Sequence, residues 1–200
     1  MPPVVVPQAV LLSCRGSVLG QPWANVIGVN VLPGGGGGLL LDQAVADEFG
    51  AVVRGFYDGL TPLLSTQWSL TEVVVQDLQS ASAPSYEASI TPVTGTISSD
   101  PLPPNMAVCC THRTGLRGRS FRGRTYLAGW TEQALDSTGQ LTAAYAPAIE
   151  GEWADFRTAL GTVDAGGMVQ AVVSRTLATA TPVVDTIVDL QFDHQDRRKR

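Results

Sequence analysis

The sequence predicts an α+β fold: a predominantly antiparallel β-sheet or sandwich with two amphipathic helices. Apolar and β-branched stretches of strand length occur before, between and after two segments with helical periodicity. This order differs from the regular strand–helix alternation of a parallel sheet. The chain has 200 residues, of which 44% are hydrophobic, enough for a sizeable core without disulfides or a structural metal. We therefore expect residues 1–200 to form a single structural domain.

The first part of the chain contains a predicted pair of strands. Residues 4–14 are apolar and β-branched, and Pro7 places part of this strand at a sheet edge or a bend. Residues 15–32 should follow as the second strand of a hairpin, because Gly20-Gln21-Pro22 has turn chemistry. The glycine run at 33–38 predicts a flexible linker. A phosphate-binding loop would need a Lys-Ser or Lys-Thr pair after the glycines, and none follows.

Two segments have the periodicity of amphipathic helices. The first is 39–58, ended by Gly59 and Pro62, and the second is about 147–160, ended by Gly161. The predicted apolar face of the first helix consists of Leu41, Val45, Phe49, Val52 and Phe56. That of the second helix consists of Ile149, Trp153, Phe156 and Leu160.

Four more segments are predicted strands. Residues 68–80 form a strongly apolar one, and the Thr- and Ser-rich residues 86–100 predict a partly exposed strand or hairpin. Residues 168–176 and 182–192 are expected to close the chain as strands, the latter with one largely apolar face. The order in which the strands pair is not indicated by the sequence.

The most unusual stretch is RTGLRGRSFRGR, residues 113–124, which has five arginines in a protein of formal net charge −5. Its neighbours, 106–114 and 121–130, are predicted strands, so the arginines should lie at the end of a hairpin. The basic tail at 197–200 means that nine of the 13 basic residues lie in two short segments. Only Lys199 is a lysine, and arginine is preferred where a planar donor meets carboxylate or phosphate.

This pattern predicts an interface rather than a uniformly solvated surface. An acidic body with two basic segments is complementary to itself in charge, which favours assembly with another copy or another protein. The alternative partner is a nucleic acid, although the rest of the chain carries 14 net negative charges and one aromatic residue lies among the arginines. A third possibility is an exposed loop without function. The candidate interface or nucleic-acid-binding residues are Arg113, Arg117, Arg119, Phe121, Arg122, Arg124, Arg197, Arg198 and Arg200.

Catalytic and metal-binding chemistry is weakly indicated. We expect Cys14, Cys109 and Cys110 to be small buried hydrophobic residues. His112 lies close to two cysteines in sequence, but residues this near on one strand rarely form a nucleophile pair. Asp193, His194 and Asp196 are mixed ligands that match no recognised metal site, and no hydrolase or nucleotide-binding motif occurs. We therefore expect no enzyme activity, no cofactor and no metal. Since apolar runs are shorter than a membrane span, we also expect no membrane partner.

Three tryptophans allow one more interpretation. If Trp23, Trp68 and Trp130 were exposed, they could form the binding surface of a small-molecule or glycan-binding module. Core packing is the more usual role of tryptophan. This module is the second alternative function, after the contact with nucleic acid.

The arginine stretch, with PLPPNMAV before it and QDRRKR at the end, resembles a group of uncharacterised proteins carried by tailed bacteriophages. In that group a Pro-Asn break precedes a strand, the arginine–glycine motif and an aromatic-Leu-Pro-Gly ending, where this chain has Ala128. The early GQPWANVI is also similar, so the resemblance spans nearly the whole chain. It implies a virion-associated structural protein of the head, neck or tail, made in the host cytoplasm. Its partners would be other virion proteins and further copies of itself.

Overall fold

The computed structural model describes residues 8–33, 41–77, 85–99, 107–116, 119–127, 131, 142–163, 167–169 and 172–180. From residue 167 onward, and in 107–127, the description is of the backbone. The chain folds into antiparallel sheets and two helices, which confirms the predicted α+β class.

Within these ranges the chain forms nine strands and two α-helices. The strands are β1 Gln8–Val18, β2 Gln21–Pro33, β3 Trp68–Asp77, β4 Ser85–Glu87, β5 Val93–Thr94, β6 Ala107–Leu116, β7 Arg119–Leu127, β8 Gly167–Val169 and β9 Val172–Ala180. The helices are α1 Gln43–Leu60, continued by a 3₁₀ turn at Thr61–Leu63, and α2 Tyr145–Leu160. The main sheet has the order β4-β3-β1-β2-β8, with β5 also paired to β3, and a second sheet has the order β7-β6-β9.

The predicted edge position of the first strand is wrong for the part that the structure describes. β1 is a central strand, paired with β2 along its whole length and with β3 from Val10 to Val18. The physical reason is burial, because the side chains of Val10, Leu12 and Cys14 are fully buried and need a neighbouring strand on each side. Pro7 lies outside the described residues.

A β-bulge in β3 keeps its apolar side chains in the core. The register with β1 shifts by one residue and leaves Thr71 without a partner in the ladder. Trp68 and Leu70 before the bulge and Val73 and Val75 after it are all buried. Without the bulge, strict alternation along the same sequence would place the two valines on the other face of the sheet.

Helix α1 begins later than predicted, and its buried face is displaced by about one residue. Asp42 is the N-cap, and its Oδ1 accepts a 2.9 Å hydrogen bond from the backbone N–H of Val45. Val45 and Val52, both predicted in the core, are only half-buried. The helix packs on the sheet on one side and on α2 on the other, so the buried arc is wider than one stripe. Its buried residues are Ala46, Phe49, Gly50, Val53, Phe56, Tyr57 and Leu60.

Helix α2 confirms its predicted apolar face, since Ile149, Trp153, Phe156 and Leu160 are all buried. It begins two residues before the predicted start and ends at Gly161. The φ of Gly161 is −69°, so the backbone there is right-handed and does not itself require glycine.

Six aromatic side chains form a continuous column through the core. Trp23 and Trp68 stack on the sheet with ring centroids 5.6 Å apart, and Tyr57 of α1 lies 5.6 Å and 5.5 Å from them. The neighbouring Phe56 lies 5.1 Å from Tyr57 and 4.7 Å from Trp153 of α2. Phe156 completes the column, 5.2 Å from Phe56. The column therefore connects the sheet, α1 and α2.

The burial of Trp23 and Trp68 makes them core residues, with exposed fractions of 5% and 2%. They cannot serve as the exposed surface of a ligand-binding module, for which they were candidates. Trp130 lies outside the described residues.

Two polar side chains of the same core, Asn25 and Trp23, form hydrogen bonds. Asn25 is 2% exposed and donates a 2.9 Å hydrogen bond from Nδ2 to the hydroxyl of Tyr57. The indole Nε1–H of Trp23 donates to the carbonyl of Ser69 at 3.0 Å. Cys14 is a buried free thiol, as predicted, and burial raises its pKa to about 12. The side chains of Cys109 and Cys110, adjacent on β6, are outside the description.

For the remaining predicted segments, the structure describes some and not others. The segment 86–100 forms the short strands β4 and β5, both paired with β3. The predicted strand at 168–176 divides into β8 and β9, which join different sheets. The linker at 33–38 beyond Pro33, the strand at 182–192 and the tail lie outside the described residues.

The hairpin between β1 and β2 turns at Leu19 and Gly20, one residue earlier than the sequence predicts. Both residues have positive φ, 51° and 71°, as a two-residue type I′ turn requires. Nothing lies within 4 Å of a Cβ added at Gly20, so its role is purely one of backbone conformation.

We predict that Gly20→Ala lowers the free energy of unfolding by about 1 kcal/mol, because an L-residue resists this left-handed backbone. Gly151→Ala is the matched control, since Gly151 is an exposed helical residue with open space at Cβ. There alanine should raise the unfolding free energy by about 0.5–1 kcal/mol. Urea denaturation followed by circular dichroism measures both. Equal effects at the two positions would contradict the turn assignment.

Candidate interface

The structure confirms the predicted hairpin around the arginines. β6 and β7 pair antiparallel from Val108↔Leu127 to Leu116↔Arg119. The ladder reaches farther towards the tip than predicted, so Arg113, Arg119, Arg122 and Arg124 belong to paired strands. Their backbone positions are therefore set by the ladder, whereas the two residues at the turn lie outside the described ranges.

The strand register determines on which face of the small sheet, β7-β6-β9, each arginine position lies. Arg113 lies directly opposite Arg122, and Arg124 lies opposite Thr111. Thr111 also pairs with Arg175 of β9 on its other side. Because residues alternate between faces along a strand, these positions share one face. We name this set, Arg113, Arg122, Arg124 and Arg175, the arginine face.

The remaining candidates are not gathered there. Arg119 and Phe121 occupy register positions of the opposite face. Arg117 and the tail residues Arg197, Arg198 and Arg200 lie outside the described ranges. Arg175 was missed by sequence reasoning, because only the pairing of β9 with β6 brings it beside Thr111.

The arginine face has an electrostatic cost for the isolated chain. Two like charges directly opposite each other across antiparallel strands destabilise a sheet, typically by a few tenths of a kcal/mol up to about 1 kcal/mol. Arg113 and Arg122 are such a pair. An anionic partner would offset this repulsion, and the guanidinium group suits carboxylate and phosphate equally well.

The two helices carry the opposite charge. α1 and α2 together contain six carboxylates and two arginines, a net charge of −4. One of these arginines, Arg54, is paired with Asp58 on the same helix at 3.7 Å. The helices pack against each other through Phe56, Trp153 and Phe156, and we name the two packed helices the acidic helical layer.

A groove of about 420 Å³ runs between the two helices. Its floor and walls are apolar, with Phe56 and Phe156 as the largest side chains, and Glu152 and Asp155 lie at its edge. We name it the helix groove. The residues that line it are Ala51, Val52, Gly55, Phe56, Glu152, Asp155, Phe156 and Ala159.

Glu152 is the most perturbed carboxylate of the helix groove. Its carboxylate lies against Gly59 of α1, where any Cβ would collide with it. Partial burial, followed by the negative charge of Asp155, raises the pKa of Glu152. Among the side chains that the structure describes, neither Glu152 nor Asp155 has a basic group within ion-pair distance. The groove therefore presents acidic groups beside an apolar floor.

Other sequence candidates are placed as follows. His112 pairs with Gly123 and Ser174 in the small sheet, and His194 lies outside the described residues. In the part of the chain that the structure covers, no cluster of His, Cys, Asp and Glu could hold a metal ion. Over the same residues, no helix is long and apolar enough to span a membrane.

The raised pKa of Glu152 predicts a pH-dependent cost. The folded state binds the proton more tightly than the unfolded state, so stability falls as pH rises from the ordinary glutamate pKa through the raised value. Glu152→Gln should therefore raise the melting temperature at pH 7 and leave it almost unchanged at about pH 3.5. The gain should stay below about 1 kcal/mol, because solvent screens a half-exposed group.

Thermal melts followed by circular dichroism at the two pH values measure this effect. Glu150→Gln, an exposed glutamate of the same helix, controls for the loss of one charge from α2. A lower melting temperature for Glu152→Gln at pH 7 would show that the charged form is stabilised, which contradicts the assignment.

No family model, no curated protein and no solved structure matches this chain.

Proposed function

We propose that this chain is a structural component of a phage particle, of the head, neck or tail, and that it acts by protein–protein assembly through the arginine face. The virion setting rests on the resemblance of the arginine stretch and its flanks to phage proteins. The assembly role rests on one observation, the arrangement of four arginines on one face of the small sheet with Arg113 opposite Arg122.

The arginine face supports the proposal of an interface for one physical reason. Repulsion between Arg113 and Arg122 destabilises the sheet of the isolated chain, and binding of an anionic partner would offset it. Nothing in strand pairing demands arginine at both positions of a cross-strand pair, and threonine or valine would suit the ladder better. Arginine is also enriched at protein interfaces, where it forms bidentate hydrogen bonds with carboxylates. The arginine pair thus lowers the stability of the sheet, and a binding role would account for its presence.

The distribution of charge favours a protein partner. The chain has a net charge of −5, and its helical layer alone carries −4, so further copies of the chain are themselves acidic partners. A nucleic acid would meet the same arginines but would also be repelled by the acidic layer. Contact with packaged nucleic acid is therefore the alternative that the experiment must separate from assembly.

We predict opposite effects of Arg113→Thr/Arg122→Thr on folding and on assembly. Removal of the opposed charges should raise the unfolding free energy of the monomer by up to about 1 kcal/mol. The same change should weaken self-association by at least about tenfold in the dissociation constant, because interfacial charge pairs contribute 1.4 kcal/mol or more. Light scattering coupled to size-exclusion chromatography, over a concentration series free of nucleic acid, measures the association.

Arg15→Gln/Arg54→Gln is the control for net charge, since it removes two arginines that lie outside the small sheet. The proposal requires that the control assembles like the wild type. A wild-type chain that stays monomeric, or a hairpin variant that assembles normally, would contradict it. DNA binding that weakens steeply with salt and is lost in the hairpin variant would instead support the nucleic-acid alternative.

A further inference from the structure

We propose that one end of the main sheet, formed by residues 19–22, 61–67 and 91–98, binds the same surface of a second copy of this chain. We name these three segments the uncharged surface. The inference goes beyond the proposed function, because none of these residues belongs to the small sheet that carries the arginine face. It follows from the composition of the surface, its rigidity and its capacity to pair with itself.

The composition of the uncharged surface is unusual for an exposed part of a protein. Its three segments contain no Asp, Glu, Lys, Arg or His, so the 13 basic and 18 acidic residues of the chain all lie elsewhere. Eleven of its residues are exposed. About three of them would be charged on a typical surface, where charged residues occupy about 25–35% of positions. Depletion of charged residues is the feature of composition that distinguishes the centre of a protein interface from the remaining surface.

Hydrogen bonds between backbone groups join the three segments into one surface. The N–H of Leu19 donates to the carbonyl of Gln67 at 3.1 Å, and the N–H of Thr66 donates to the carbonyl of Ile97 at 2.9 Å. In return, the N–H of Ile97 donates to the carbonyl of Leu64 at 3.0 Å. The three segments are therefore neighbours in space and are fixed to one another.

The uncharged surface is also held from the side of the core. Ser65 is fully buried, and its hydroxyl donates to the carbonyl of Ser99 at 2.8 Å and accepts from the N–H of Gln67 at 3.2 Å. Gly95 lies so close to the carbonyls of Leu64 and Ser65 that any Cβ there would collide with them. A surface that is ordered before binding loses little conformational entropy when it binds.

The side chains that face solvent are hydroxyl groups and apolar rings. Thr94, Thr96 and Ser98 are exposed at alternate positions of one extended segment. Pro62 and Pro92 add exposed proline rings. The surface thus has groups for hydrogen bonding and for apolar contact, and no charge that needs an oppositely charged partner.

These properties favour a second copy of the chain as the partner. A hydroxyl group both donates and accepts hydrogen bonds, so a surface of hydroxyl and apolar groups can pair with itself about a two-fold axis. The chain has a net charge of −5, so two copies repel each other least where neither presents a charge. A nucleic acid would find no cation on this surface for its phosphates.

Charge substitution tests this contact in the hairpin variant Arg113→Thr/Arg122→Thr, which lacks the proposed contact of the arginine face. Thr94→Lys/Ser98→Lys and Thr94→Glu/Ser98→Glu each place two like charges on the uncharged surface. Thr96 is left unchanged, because its hydroxyl donates a 3.0 Å hydrogen bond to a backbone carbonyl of the neighbouring segment.

The controls carry the same charges at a distant site. Ala154→Lys/Thr158→Lys and Ala154→Glu/Thr158→Glu change two exposed positions of α2. Thr66→Lys and Thr66→Glu are a second test pair on the uncharged surface, at another exposed position. Circular dichroism establishes that each variant is folded.

Sedimentation velocity over a concentration series should give three results. The hairpin variant and both controls should form dimers that do not grow, since a two-fold contact is closed. The lysine and glutamate variants of the uncharged surface should each dimerise at least about tenfold more weakly, because like charges meet across the two-fold axis. An equimolar mixture of these two variants should dimerise again, because opposite charges then meet.

The outcomes separate this inference from the proposed function. A monomeric hairpin variant, or charge variants that dimerise like the controls, would overturn the inference and leave the role of the arginine face standing. Charge variants that stay monomeric in the mixture would also overturn it, since the surface then does not meet itself. A hairpin variant that assembles like the wild type would instead overturn the proposed function. A monomeric wild type would overturn both.

Discussion

The aromatic column is the contact on which the rest of the structure depends. Phe56 and Tyr57 are adjacent on α1 and therefore point about 100° apart. Tyr57 packs on Trp23 and Trp68 of the sheet, while Phe56 packs on Trp153 and Phe156 of α2. One turn of α1 thus packs against both the sheet and the second helix. Phe56 is also part of the floor of the helix groove, so the packing that stabilises the core sets the shape of the candidate site.

Much of the fold follows from local patterns in the sequence, and the errors occur where partners from distant segments decide. The apolar face of α2 is correctly predicted, since Ile149, Trp153, Phe156 and Leu160 are all buried, although this helix packs against both α1 and β9. That of α1 is displaced by about one residue. Pro7 predicts an edge or a bend for part of the first strand, but β3, which follows α1 in the chain, pairs with the second side of β1. The bulge at Thr71 and the positive φ of Leu19 also have no signal in local propensity.

The candidate site was predictable in composition but not in arrangement. The excess of arginine in 113–124 is evident from the sequence, whereas the opposition of Arg113 and Arg122 and the addition of Arg175 depend on strand register. Glu152 and Asp155 look like ordinary solvated positions of an amphipathic helix. Only the packing of α2 on α1 makes them the edge of a groove and raises the pKa of Glu152. Local sequence thus identifies the charged residues, and tertiary pairing identifies their neighbours.

The most direct measurement is photo-crosslinking from the arginine face. Ser120 occupies a register position of this face, opposite Gly115, so p-benzoylphenylalanine there leaves every arginine in place. Wild-type chains labelled with ¹⁵N would be mixed with unlabelled chains that carry the probe, and cross-linked peptides identified by mass spectrometry. We expect cross-links from the probe to peptides of labelled chains, which would place the arginine face at a contact between copies. Cross-links confined to the probe's own chain would contradict the account.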